Sequence, residues 1–166
     1  FPLTYDFANR FRTGEMPLVV TDYCSTYNTL TVFATEIKGL WQFTSVPGIE
    51  KENGIINNSS IATLTATIML HGTGERGTSE SAWDYMEWQS GADVQASYGN
   101  QMVALVGPAA KYATANMNAI KDLSWSSSEY ASLVAQLDNL AAIPNYPGSY
   151  IIDRYTKFAF LAAVNE

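Results

Sequence analysis

The chain has 166 residues, of which 47% are hydrophobic and 15% charged, and its formal net charge is −7. That balance excludes a disordered chain and supplies enough apolar material for one substantial core. The 9 Lys and Arg are scattered, which excludes the basic face that nucleic acid requires, and acidity by itself mainly favours solubility.

Taken in chain order, "TYDFANRFRTGE" (4–15) predicts a short helix. Tyr5, Ala8 and Phe11 keep helical spacing and Gly14 suits a left-handed stop. "MPLVVTDY" (16–23) predicts a strand ending in the polar pair Thr21-Asp22. "STYNTLTVFATEIKGL" (25–40) is ambiguous: its β-branched residues disfavour a helix, while Ser25 or Thr26 suits a cap. "WQFTSVPG" (41–48) alternates Trp41 and Phe43 and turns at Pro47-Gly48, predicting another strand. "EKENG" (50–54) reads as a hairpin-like tip, and 55–70 as one long or two short strands around Asn57 to Ser60.

A glycine-rich turn then leads into a helix from about Ser79 to Ser90, with Trp83, Met86 and the pair Ala82/Tyr85 sharing a face. Residues 91–102 predict a second short helix, 103–116 mostly loop, and 115–123 a helical turn or two. Ser126-x-x-Glu129 is a capping box opening a helix to about Ala142. Ile151, Tyr155, Phe158 and Ala162 form the apolar stripe of a last helix. Strands early and helices late predict an α/β or α+β domain, with no internal repeat and no low-complexity linker.

Cys24 is the only cysteine and His71 the only histidine, so no internal disulfide and no cysteine metal cluster is available, and the compartment stays open. No apolar run approaches the roughly 20 residues of a membrane helix. Phe1-Pro2 is not a natural translation start and no signal pattern follows, so the expectation is a piece cut from a longer protein.

"HGTGERG" (71–77) places Gly72-x-Gly74-x-x-Gly77 between a strand and a helix, the setting of a dinucleotide fingerprint. The next element is a second helix rather than a parallel strand, so no βαβ unit closes. Asp93 falls on that helix, which leaves no strand-end acid for a ribose. A flexible turn before a capped helix is the plainer reading. "HGTG" is also similar to the oxyanion loop of lipases, but no Gly-x-Ser-x-Gly elbow exists and one histidine cannot serve both roles. Metal ligands are too few and too dispersed for a site, and Asp22 and Asp153 are the only acids set among aromatic, turn-flanked residues. The Asn-x-Ser sites at Asn57 and Asn58 matter only in a glycosylating host.

Three polar-aromatic clusters remain: Asp22-Tyr23 with Tyr27-Asn28, Asn58-Ser59-Ser60, and Tyr146 to Arg154. Aromatic faces stack on the C–H surface of a sugar ring while Asp, Asn and Arg bond its hydroxyls, so such clusters suit hydroxyl-rich ligands. Each alone also reads as a surface turn with a tyrosine covering the core.

Five segments in this order carry a resemblance: "FANRFRTGEMPLVVTDY", "LWQFTSVPG", "INNSSIATLTATIML", "SAWDYMEWQSGADVQASYGNQM" and "IPNYPGSYIIDRYTKFAFLAAVN". Together they resemble the C-terminal part of extracellular solute-binding proteins of bacterial ABC importers, the family that includes maltose-binding protein. The resemblance covers nearly the whole chain and implies an α/β fold of the periplasmic-binding-protein-like type II. In that fold two lobes close over a solute, with 1–54 and 143–166 in the C-terminal lobe and 55–142 in the N-terminal lobe.

It further implies a non-enzymatic protein without cofactor or metal, capturing a sugar or oligosaccharide for the membrane subunits of an ABC permease. The implied parent is a monomer, lipid-anchored on the outer face of the cytoplasmic membrane or periplasmic. Carried over position by position, the implied ligand contacts are Asp22 and Tyr23 at a strand end, and Ser59, Ser60 and Thr63 with Ala62 before the hinge strand. Tyr150 and Arg154 follow at the start of the late helix, with Tyr146 and Asp153 behind them. A tryptophan common near the first position in the family is replaced here by Tyr23. The rival reading, a nucleotide-dependent enzyme using the Gly72 loop, requires a parallel strand directly after the 79–90 helix. A third is a structural surface domain with no saturable small ligand.

Overall fold

A computed structural model describes residues 7–142 and 146–165. The expectations placed on Tyr5 and on Ile143 to Asn145 lie outside the described residues. The architecture is mixed, with eight helices and four two-residue strands among the described residues.

Helix α1 (Phe7–Arg12) ends at Gly14, whose φ of 77° is the left-handed stop its position predicts. The strand expected over 16–23 does not form. Asp22 is instead the N-cap of α2 (Tyr23–Phe33), its carboxylate accepting the Ser25 N–H at 2.7 Å. Capping satisfies an orphan donor of the first turn, and the helix then runs through four β-branched residues because its inner face is buried at Cys24 and Leu30. A 3-10 turn (Thr35–Ile37) follows. Residues 41–48 join no strand ladder. β1 (Ile49–Glu50) and β2 (Ile56–Asn57) close a hairpin whose loop is 51–55, one residue on from the tip expected at 50–54, with Ile49 opposite Asn57.

β3 (Ser60–Ile61) is short, and 62–69 form no strand. A strand needs a neighbour, and the one β3 finds is β4 (Leu140–Ala141), parallel to it, with Ser60 opposite Leu140. After the single-turn α3 (Gly72–Glu75) come α4 (Ser79–Ser90) and α5 (Ala92–Val106). α5 overruns the loop expected from 103 and stops at Gly107, where φ is 100°. Gly99 lets α5 approach closely: a Cβ there would lie 2.5 Å from Leu123 Cδ2 and 3.1 Å from Tyr112 Cβ.

A side-chain relay fixes the next stretch to α4 and α5. Tyr112 Oη and Thr114 Oγ1 both donate to Gln95 Oε1, while Gln95 Nε2 donates to the Gln89 carbonyl. Asn116 caps α6 (Met117–Ile120) and donates from Nδ2 to the Ser90 carbonyl. α7 (Ser127–Leu137) opens on the capping box, with Glu129 N–H on Ser126 Oγ and Ser126 N–H on Glu129 Oε2. It stops well before Ala142, since 140–141 pair with β3. Ser126→Ala removes one half of the box and is expected to lower stability by about 1 kcal/mol, read as a drop in denaturation midpoint.

The core gathers Leu30 and Ala34, Ala96, Ala119, Ile120, Leu123 and Leu133. α8 (Ser149–Asn165) keeps its expected stripe, but Ile151, Tyr155 and Phe158 are exposed along it. No described helix is long and apolar enough to cross a membrane.

Candidate functional site

A groove of about 1390 Å³ opens between α1, the first two turns of α2, and 37–47. Its wall is built by spacing. With Asp22 starting the helix, Tyr23 and Tyr27 are four residues apart and share one face of α2. Trp41 and Phe43, two apart in extended chain, meet that face: Tyr27 lies 5.6 Å from Trp41 and 6.5 Å from Phe43, both edge-on. Phe11 of α1 continues the row at 6.3 Å from Trp41. Such T-shaped pairs set positive ring edges on negative faces, each adding roughly 0.5–1.5 kcal/mol beyond burial. Hydroxyls border the rings, with Thr21 and Thr26 bonded to each other at 3.1 Å. Asp22 also lines the groove; the cap uses its Oδ1, and an ionised carboxylate retains further acceptor capacity.

Trp125, just before the N-cap of α7, closes the cluster from outside the groove lining. It packs on Tyr23 at 5.8 Å, Tyr27 at 5.4 Å and Phe43 at 6.0 Å. The backbone of Lys111 clasps Asn28, which donates to the Lys111 carbonyl at 2.9 Å and accepts its N–H at 3.1 Å. Cys24 Sγ donates to the same carbonyl at 3.0 Å.

Burial, with smaller contributions from neighbouring Cys24 and Asp22, pushes the Tyr23 phenol up to about 12. Burial also pushes the Cys24 thiol up to about 11, Asp22 adding to this and Lys111 opposing it. Both groups hold their protons more tightly folded than unfolded, so folding loses support as pH rises through this range. Stability is expected to hold below pH 9, the ordinary thiol value, and to fall between 9 and about 12. Denaturant midpoints measured from pH 8 to 11.5 check this, and the double variant Tyr23→Phe, Cys24→Ala flattens the fall. Glu129 goes the other way. Burial alone raises its pKa, but bonds from the Ser126 backbone and side chain and from Lys111 together outweigh that and lower it.

Of the residues expected at a site, the groove brings together Asp22 and Tyr23, though at a helix start rather than a strand end. Ser59, Ser60, Thr63, Tyr146, Tyr150 and Arg154 do not line it. Ser59 bonds Asn57 through N–H and Oγ. Ser60 donates its N–H to the Asn139 carbonyl, and Thr63 is exposed. Tyr146 N–H donates to Ser149 Oγ, Tyr150 is exposed, and the Arg154 guanidinium sits 5.4 Å above the Phe158 ring.

Trp41, Phe43, Trp125 and Lys111 were not among the expected contacts; the signal that reaches the first two is the alternation Trp41-x-Phe43. The Gly72 loop folds as α3 and a turn, with exposed His71 3.7 Å from Glu75. The strand required by the nucleotide reading is replaced by α5 directly after α4. Among the described residues no group of three or more His, Cys, Asp or Glu could hold a metal ion.

Comparison with family models, curated proteins and solved structures finds no match.

Proposed function

We propose that this chain serves as a solute-capturing part of an ABC importer's binding protein, taking a hydroxyl-rich solute, a sugar or oligosaccharide, into the groove beside α2. The observation that carries the reading is the wall of Phe11, Tyr23, Tyr27, Trp41 and Phe43 bordered by hydroxyls and the Asp22 carboxylate. Rings offer broad apolar faces to sugar C–H surfaces, and a carboxylate accepts from two neighbouring hydroxyls. The order of sequence segments adds the rest: a type II periplasmic-binding-protein-like fold with lobes at 1–54 with 143–166 and at 55–142, a permease as membrane partner, and an extracellular, lipid-anchored or periplasmic setting. Ligand bridging of two lobes would shift an open–closed equilibrium, as the general behaviour of such proteins requires.

A thermal-shift screen of the 166-residue protein against neutral saccharides, short peptides and nucleotides tests the reading. A shift with saccharides alone supports it, whereas a shift with nucleotides alone, or with nothing, contradicts it. Tyr23→Ala is expected to weaken the responding saccharide by about tenfold. Tyr150→Ala then separates recognition by the groove alone, with affinity unchanged, from a site that also uses α8.

A further inference from the structure

We infer that Lys111 is the positioning residue of the groove's aromatic wall. Its ammonium lies 4.4 Å from the centroid of the Tyr27 ring and 4.1 Å from that of Trp125, and pairs with Glu129 Oε2 at 3.2 Å. The side chain is only 8% exposed, so the cation is largely stripped of water and each ring face counts for more than it would at the surface. Lys111 does not itself line the groove, whereas Tyr27 does. It therefore acts on a ligand through the stance of Tyr27 and, by way of Trp125, of Tyr23 and Phe43.

Three elements meet on this one residue. The turn at 108–111 supplies it, α2 is clasped to its backbone by Asn28 and Cys24, and α7 presents Glu129. Glu129 cannot drift away to follow the lysine, because the same Oε2 accepts the Ser126 N–H at 2.8 Å and closes the capping box. A fixed carboxylate thus holds the ammonium, and the ammonium holds two rings. A neutral side chain of the same length would fill the space without that attraction, leaving Tyr27 and Trp125 free to rotate against Phe43.

That this wall meets a saccharide rests on the function proposed above; that Lys111 sets its geometry does not. The test uses the whole protein and two variants, Lys111→Met, which keeps the stem, and Lys111→Arg, which keeps the charge. Without ligand, NMR of the wild type is expected to show the Lys111 ε-methylene protons moved upfield by the ring currents. Lys111→Met is expected to shift the ring resonances of Tyr23, Tyr27, Phe43 and Trp125 while the amides of α4 stay in place, and Lys111→Arg to restore them.

With maltotriose as probe, Lys111→Met weakens binding by about tenfold and Lys111→Arg by less than about threefold. Ring resonances unmoved in folded Lys111→Met overturn the assignment, whereas moved rings with unchanged affinity uphold Lys111 as the residue that sets the wall and overturn its action on the ligand. If the wild type binds no maltotriose, the saccharide reading fails for that probe and the ring spectra alone decide the role of Lys111. Should Lys111→Met not fold, Glu129→Gln keeps an acceptor for Ser126 but removes the counter-charge, and the same ring shifts are then required of it.

Discussion

Ile120→Ala is expected to lower the unfolding free energy by about 2–5 kcal/mol, the range for truncating a fully buried aliphatic side chain. Ile120 is 2% exposed, at the end of a helix only four residues long. So short a helix has no stability of its own and persists because the chain around it is pinned. The pins are the Asn116 cap, its Nδ2 bond to Ser90, and the relay from Tyr112 and Thr114 through Gln95 to Gln89. Those bonds stop the surroundings from collapsing into the space left by the lost atoms, which places the loss towards the upper half of that range. Urea denaturation followed by far-UV circular dichroism gives the figure, and a loss below about 1 kcal/mol would contradict this packing.

Tyr27→Ala carries the second large effect, on stability and binding together. The ring touches Trp41, Phe43 and Trp125 and lies under the Lys111 ammonium. Its removal is expected to cost about 2–4 kcal/mol of stability, less than a fully enclosed aromatic because Tyr27 is only half-buried. It also leaves the Lys111 ammonium, whose side chain is 8% exposed, with one ring and one carboxylate. Tyr27→Phe, which keeps the ring and the cation contact, is expected to stay within about 0.5 kcal/mol of wild type. A stability loss in Tyr27→Phe as large as that in Tyr27→Ala would show that the hydroxyl, not the ring, holds the cluster.

Where local signals and tertiary context agree, the fold was legible in the chain. The capping box at Ser126 and Glu129, the left-handed stop at Gly14 and the helix from Ser79 to Ser90 appear where their residues place them, and the hairpin tip expected at 50–54 forms one residue on. The strand expected at 16–23 is absent for a specific reason. Val19 and Val20 favour a strand, but a strand needs a ladder, and Asp22 offered the next residues a cap instead. Burial of Cys24 and Leu30 then outweighed the β-branched residues of α2. The opposite happened at 62–69, where period-two alternation meets no neighbouring strand among the described residues.

Two residues of the candidate wall were legible in the same way. Asp22 and Tyr23 are residue types that suit a site in any local structure, and they line the groove. The i, i+4 partnership of Tyr23 with Tyr27 exists only once α2 is a helix. Trp125 and Lys111 come from far along the chain, and nothing in their own neighbourhoods marks them. Lys111 reads locally as one scattered cation, and only the packing of α2 against 108–111 gives it two rings and a carboxylate.

The most direct test of the groove as a solute site is titration calorimetry of the whole protein with a series of neutral oligosaccharides, repeated on Asp22→Ala and Tyr23→Ala. A saturable, one-to-one heat is expected for at least one saccharide in the wild type, weakened by about tenfold or more in each variant. No saturable heat across the series, or the same affinity in all three proteins, would contradict the groove as a solute site.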